Sequence, residues 1–261
     1  MKMTKRRRCT AQRKAEHLTP ALLAKMDDAA IDLVIDKMKL REVTFPAITR
    51  KSSAKYCSLR RVNRTDILKI LSDSKPFNIE EAQHKILQMP CLEEYRVSNE
   101  ISSSQSKWFS RQLRSYLQIY DPKCPFRIAE SEHLSGIERE AAVFAKCLLQ
   151  RGETIQFLSG VCVPLTKNEE LQLETSGKDF SILQSSRYET TAMFLGPARF
   201  VNHDCEANSK IVWAEKSRAR IVAVKEIHEG DEITVFYGAH YFGENNQECL
   251  CRYCSTCIAD L

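Results

Sequence analysis

No stretch of this 261-residue chain approaches the roughly 18–20 consecutive apolar residues that a bilayer-spanning helix needs. Its charged N-terminus is not followed by an apolar segment of the secretory type. Together these absences argue against a membrane or secreted protein. No internal repeat and no long low-complexity linker interrupts the pattern, which argues against solenoid arrays and strings of tethered modules. Acidic residues are missing before Glu16, and that gap localises the charge of the whole chain.

What is present is ordinary in bulk. The chain is 43% hydrophobic and 28% charged, as globular proteins are, and long enough for one large domain or two small ones. The formal net charge is +5, but Lys2, Lys5, Arg6, Arg7, Arg8, Arg13 and Lys14 all precede the first acid. Taking those seven from 39 basic residues leaves 32 against 34 acidic, a remainder of −2. The basicity therefore lives in a tail, residues 1–16. Such a tail reads as a nuclear-import signal or an arm for DNA phosphate, set against the plainer reading of a solvated terminus.

Three regions follow. From about 17 to 122 the patterning is helical. Ile31, Val34, Ile35 and Met38 keep helical spacing after Asp27 and Asp28, which suit a helix start. Asn78 followed by Glu81 resembles an N-cap, Pro90 closes that segment, and Ser102 to Ser104 reads as a loop. Trp108, Phe109, Leu113, Tyr116, Leu117 and Tyr120 make one apolar face, ended by Pro122. After Pro122 short strands are expected at Phe126–Glu130, Glu140–Ala145, Thr154–Leu158, Phe180–Leu183, Ile211–Ala214, Arg218–Val224 and Glu232–Tyr237. The fold class is α+β, with a β-rich domain over 123–243 and a distinct segment over 244–261.

That last segment holds Cys249, Cys251 and Cys254 within six residues, with Cys257 close behind. Dense thiols without a secretion signal favour a metal over disulfides. Three thiolates can wrap one zinc ion, and a structural site wants a fourth ligand. Cys257, a histidine or Cys205 are the candidates, and spacing alone favours Cys257. Cys9, Cys57, Cys91, Cys124, Cys147 and Cys162 are scattered and read as core or surface thiols.

Upstream stands Arg199-Phe200-Val201-Asn202-His203-Asp204-Cys205, and then Glu232-Ile233-Thr234-Val235-Phe236-Tyr237-Gly238. An Asn-His pair, a strand ending in tyrosine and a terminal cysteine cluster resemble the SET-domain lysine methyltransferases with a post-SET zinc. Leu195-Gly196-Pro197, Gly243-Glu244-Asn245-Asn246 and Asp179-Phe180-Ser181 are similar to the suppressor-of-variegation 4-20 branch, whose members methylate lysine 20 of histone H4. Asp27 to Asp36 also resembles the opening of that branch's helical N-terminal domain. The likeness is thin before Phe126 and specific after Asp179.

The resemblance implies a β-rich SET domain with pseudoknot-like C-terminal threading, S-adenosylmethionine as cofactor, and one structural zinc ion. It assigns that zinc to Cys205, Cys249, Cys251 and Cys254, leaving Cys257 surplus. It makes Tyr237 catalytic, with its hydroxyl beside the methyl group and the lysine nitrogen. Cofactor contacts fall on Leu134, Ser135, Gly136, Ile137, Ala141, Arg187, Asn202, His203 and Leu250. Ser181 and Phe194 line the lysine channel, and Phe194 stands where many branch members carry tryptophan. Only Gly136 stands where most SET enzymes have a Gly-x-Gly turn, a departure the branch shares. The implied partners are the histone H4 tail and the nucleosome, in the nucleus and on the chromosome, with Glu244 and Glu248 available to a basic tail. The rivals are an enzyme for another lysine, an inactive SET scaffold, and a zinc-containing nucleic-acid module, the last weakened by the lack of a basic helix near the cysteines.

Overall fold

The computed structural model describes residues 19–35, 63–73, 77–98, 101–131, 140–175, 182–185, 190–214 and 217–259. The chain divides into two compact units, with the boundary after Leu117. No helix among the described residues is long and apolar enough to cross a membrane.

The first unit is helical. Helix α1 (Pro20–Val34) begins where Thr19 caps it, the hydroxyl accepting from the Leu22 N–H at 3.3 Å, with proline at the first position. Asp27 and Asp28 therefore lie mid-helix instead of at its start. Asp27 is fully buried, and its carboxylate accepts from the Tyr116 hydroxyl at 3.0 Å and from the Gln112 amide. Helices α2 (Arg64–Asp73), α3 (Ile79–Leu87), α4 (Pro90–Ser98) and α5 (Ser103–Leu117) follow. Asn78 caps α3 as expected, accepting from Glu80 and Glu81 at 3.0 and 3.2 Å. Pro90 opens α4, because a ring without an N–H costs nothing in a first turn. The expected serine loop is a helix start: the Ser102 hydroxyl accepts from the Gln105 N–H while Gln105 Oε1 accepts from the Ser102 N–H at 2.8 Å, a reciprocal capping box. Phe109, Leu113, Tyr116 and Leu117 of α5 are buried, and α5 packs on α1.

The second unit is mostly sheet. Strands β1 (Phe126–Ser131) and β2 (Glu140–Ala145) pair antiparallel, Phe126 opposite Ala145. Strand β3 (Thr154–Pro164) runs six residues beyond the expected Leu158. Helix α6 (Lys167–Thr175), β4 (Ile182–Ser185) and β5 (Thr190–Leu195) come next. The β5 run carries no alternation, and the sequence reading did not identify it. There Gly160 is needed for close approach: a Cβ on it would meet the Phe194 ring at 2.5 Å and the Leu195 carbonyl at 2.9 Å.

The remaining strands, β6 (Asn202–His203), β7 (Ser209–Trp213), β8 (Arg218–Ala223) and β9 (Thr234–Val235), complete a seven-stranded sheet ordered β4-β5-β3-β8-β7-β9-β6. The chain threads β9 between the earlier strands β7 and β6, pairing parallel to both. The expected strand Glu232–Tyr237 is shorter for a specific reason. Its first residues pair with β2 instead, Ile233 N–H donating to Val143 at 2.7 Å and Glu232 bridging Phe144. Only Thr234 and Val235 join the large sheet, so Tyr237 stands two residues past its strand. A 3-10 turn (Glu244–Asn246) and helix α7 (Arg252–Ala259) end the described chain.

Candidate active site and metal centre

The site grows from β6. The Asn202 side chain donates from Nδ2 to the Ala141 carbonyl at 3.3 Å and to Glu232 Oε1 at 3.0 Å, which ties β6 to β2 and to the segment entering β9. Asn208 fixes that same segment, its Nδ2 donating to the Glu232 carbonyl at 2.8 Å and its Oδ1 accepting from the Thr234 N–H at 2.9 Å. Ser209 adds a hydroxyl bond to the Thr234 carbonyl at 2.6 Å. Sequence reasoning missed Asn208, Ser209 and Glu232, since their partners lie 24 to 30 residues away.

Tyr237 lies beside this strand crossing. Its hydroxyl donates to the Val201 carbonyl at 2.7 Å, so its oxygen keeps lone pairs with which to accept from another group. Its N–H donates to His203 Nδ1 at 3.1 Å. The His203 ring is buried among Phe236, Tyr237 and Phe242, with centroids 5.2 to 5.5 Å away. Burial pushes His203 below the usual imidazole range, opposed by the neighbouring Asp204.

His203 Nε2 faces the Cys205 sulfur at 3.3 Å. Cys205 Sγ is in turn 3.5 Å from Cys254 Sγ and 3.9 Å from Cys249 Sγ. The donor atoms of His203, Cys205, Cys249 and Cys251 all fall within 4.8 Å of one another. These sulfurs are far outside bonding distance for a disulfide. A tetrahedron with Zn–S bonds of about 2.3 Å has S···S edges of about 3.8 Å, so the spacing fits one zinc-sized ion. Backbone geometry favours the thiolate form at one corner: the Cys251 sulfur accepts N–H groups from Cys205 and Cys254 at 3.4 and 3.5 Å. Burial pushes the Cys251 thiol up, but those two donors together with hydrogen bonds from the Cys249 and Cys254 side chains bring it below the usual range. Cys205, Cys249 and Cys254 move upward, with burial the largest cause, Cys254 to about 11. A dication at the centre reverses that preference, since thiolate is the ligating form.

The expected site residues are thus partly brought together. Asn202, His203, Tyr237 and the cysteines of the proposed metal set share one neighbourhood, and Ala141 joins through its carbonyl. Leu250 is exposed beside the thiols, and Phe194 is buried edge-on to Trp213 with centroids 6.4 Å apart. Leu134, Ser135, Gly136, Ile137, Ser181 and Arg187 lie outside the described residues, as do the basic tail and the Cys257 side chain.

Residues 140–238 match the family profile of the SET domain. The curated protein named histone-lysine N-methyltransferase set9 of Aspergillus oryzae is 38% identical over 260 residues, covering 99% of this chain and 41% of that protein. Its namesake in Neurospora crassa is 36% identical over 249 residues, covering 95% of this chain and 31% of that protein. The chain thus spans about two-fifths or less of the length of these relatives. The solved Neurospora SET domain protein DIM-5, a histone lysine methyltransferase, aligns over 49% of this chain and 57% of that chain at 20% identity, with a TM-score of 0.35. The fold is α+β, a SET domain accompanied by helices.

Proposed function

We propose that this chain is the catalytic part of a histone-lysine N-methyltransferase, which moves methyl groups from S-adenosylmethionine to lysine 20 of histone H4 in nuclear chromatin. The supporting observation is the crossing of β6 and β9 inside the SET-matched region, where Tyr237 bonds to Val201 and His203 on either side of Asn202 and a cluster of thiols adjoins His203. The set9 relatives carry a histone-lysine methyltransferase name, which supports the substrate class. The lysine-20 assignment rests on Leu195-Gly196-Pro197, Gly243-Glu244-Asn245-Asn246 and the other quoted motifs.

S-adenosylmethionine supplies an electrophilic methyl group on a sulfonium. The chain's own task is to align a neutral amine with it and to exclude alternatives, since displacement at carbon needs little covalent help. Asn202 and the His203 backbone hold the cofactor at β6. The Tyr237 hydroxyl donates its hydrogen bond to the Val201 carbonyl and so offers lone pairs to the amine and the methyl group, a preorganised polar contact at the transition state. His203 is not a general base, because both ring nitrogens are engaged; the lysine proton leaves to solvent before reaction. Zinc on Cys205, Cys249, Cys251 and Cys254 is structural. Exposed Glu244 and Glu248 face a basic histone tail, and residues 1–16 meet DNA phosphate.

The test is incubation with labelled S-adenosylmethionine and nucleosomes, with the modified lysine mapped by mass spectrometry. Label is expected on histone H4 and is expected to vanish when its lysine 20 is replaced by arginine. Label that persists on that nucleosome assigns the enzyme to another lysine. No label on nucleosomes, free histones or peptides leaves an inactive scaffold.

A further inference from the structure

The geometry points to His203 as a positioning residue that couples the metal centre to Tyr237 through its two ring nitrogens, in place of the cofactor contact that resemblance implies for its side chain. The inference rests on the metal set proposed above. It begins with donors. The Tyr237 backbone N–H can only donate, and it points at Nδ1 from 3.1 Å. Nδ1 therefore carries the lone pair, and in the neutral ring the hydrogen sits on Nε2. A protonated Nε2 cannot ligate a metal. It donates instead to the Cys205 sulfur, 3.3 Å away. Among the five candidate donors this sorts His203 from the ligands and leaves the fourth corner to Cys254, whose sulfur is 3.5 Å from that of Cys205. A hydrogen bond to a ligating thiolate orients it and lowers its charge density, as groups behind metal ligands commonly do.

The link has a second strand. Cys249 donates its N–H to the Asn246 carbonyl at 2.9 Å. The buried Asn246 side chain then closes the loop that follows Tyr237, Oδ1 accepting from the Phe242 N–H at 3.0 Å and Nδ2 donating to the Gly238 carbonyl at 2.8 Å. Phe242 packs on the His203 ring, and Tyr241 packs edge-on to Tyr237 at 4.9 Å. Asn245 and Asn246 are both left-handed, with φ of 54° and 55°, a conformation that asparagine tolerates better than other residues with a side chain. The cysteines thus grip both ends of the Tyr237 segment, once from the Cys205 sulfur through an imidazole and once from the Cys249 backbone through an amide. With the metal in place the tyrosine hydroxyl is aimed; without it, neither grip has a fixed base.

Two variants separate the ends of the imidazole. In His203→Asn the side-chain amide reaches the Nδ1 position and keeps an acceptor for Tyr237, but nothing reaches sulfur. In His203→Gln the amide reaches the Nε2 position and restores a donor to Cys205, while the Tyr237 N–H loses its acceptor. Zinc release to a chromogenic chelator should be about 10–100-fold faster in His203→Asn and near wild type in His203→Gln. The turnover rate should fall in His203→Gln at unchanged cofactor KM, and fall less in zinc-saturated His203→Asn. Equal behaviour of the two variants on both readouts overturns the relay. The wild-type protein gives an independent check that needs no variant to fold. With ¹¹³Cd in place of zinc and ¹⁵N-labelled histidine, His203 should show the Nε2–H tautomer and no coupling to cadmium. A cadmium–nitrogen coupling makes His203 a ligand and overturns the inference while leaving the metal centre standing. A wild-type chain that takes up no metal removes the centre itself.

Discussion

The α1–α5 unit buries Met26, Leu33, Ile67, Ile86, Leu113, Tyr116 and Leu117 almost completely. From Gly238 onward the buried side chains among the described residues are Asn246, Cys249 and Cys251, while Tyr241, Leu250 and Tyr253 stay substantially exposed. The first region draws its order from apolar area, at about 1.5–3 kcal/mol for each large side chain removed from water. The second has too little such area to fix itself. It is held by hydrogen bonds and by a set of thiols that suits one metal ion, for which about 10–16 kcal/mol of apparent binding energy is typical of small structural sites. The polar groups differ in the same sense. Asp27 is pinned inside a packed helix pair by Tyr116 and Gln112, whereas Asn246 itself does the pinning. One region can therefore be damaged without the other, and the part next to the chemistry is the one with the weaker core.

The sharpest way to break this contrast is Cys205→Ser. It should lose zinc and expose the segment after Gly238 to protease, while the cooperative melting of the helical unit stays unchanged; Cys257→Ser should keep its zinc. Metal analysis showing the reverse pattern would hand the site to a local cluster of terminal cysteines and detach it from β6. Next in size, Tyr237→Phe removes the hydroxyl bonded to Val201 and should lower the turnover rate about 10²–10³-fold with cofactor affinity little changed. Near-normal turnover at saturating cofactor would take Tyr237 out of the mechanism. Asn202→Ala leaves Glu232 and the Ala141 carbonyl short of a donor and should weaken S-adenosylmethionine binding by about 1–3 kcal/mol. Calorimetry reads this directly, and an unchanged dissociation constant refutes the role. For the helical side, Asp27→Ala removes the buried carboxylate that accepts from the Tyr116 hydroxyl and the Gln112 amide, at a cost of about 1–3 kcal/mol in chemical denaturation of that unit. Zinc content should not move; if it does, the two regions share more than the comparison allows.

What the sequence revealed and what it hid divide along the same line. Asn78 was readable as a cap because its partners sit two and three residues away, and the Cys249–Cys254 spacing because three thiols in six residues have few other uses. The true start of α1 was written in Thr19-Pro20, but Asp27 and Asp28 looked like a better one; a carboxylate's burial depends on a helix 85 residues away and leaves no local trace. β5 went unseen because Thr190–Leu195 lacks an alternating pattern. Tyr237 was placed at a strand end because Glu232–Tyr237 alternates like one strand, although its first half pairs with β2 and its second with β6 and β7. Asn208 and Glu232 hold the crossing together, and nothing in their neighbourhood in sequence marks them.

The threading of β9 between β7 and β6 also dictates an order of events. Asn202 waits 30 residues for Glu232, and Cys205 waits 49 for Cys254. At a ribosomal pace of about 5–20 residues per second, those intervals are roughly 2–6 s and 2–10 s. Throughout that time β6 is a two-residue strand with no mate, and Cys205 is a lone thiol on an unfinished chain, open to oxidation before any metal can claim it. The helical unit is translated first and can collapse at once, so the nascent chain carries a finished scaffold and an unclosed site. Growth in medium stripped of zinc should accordingly yield chains with a native first unit and a segment after Gly238 that stays open to protease.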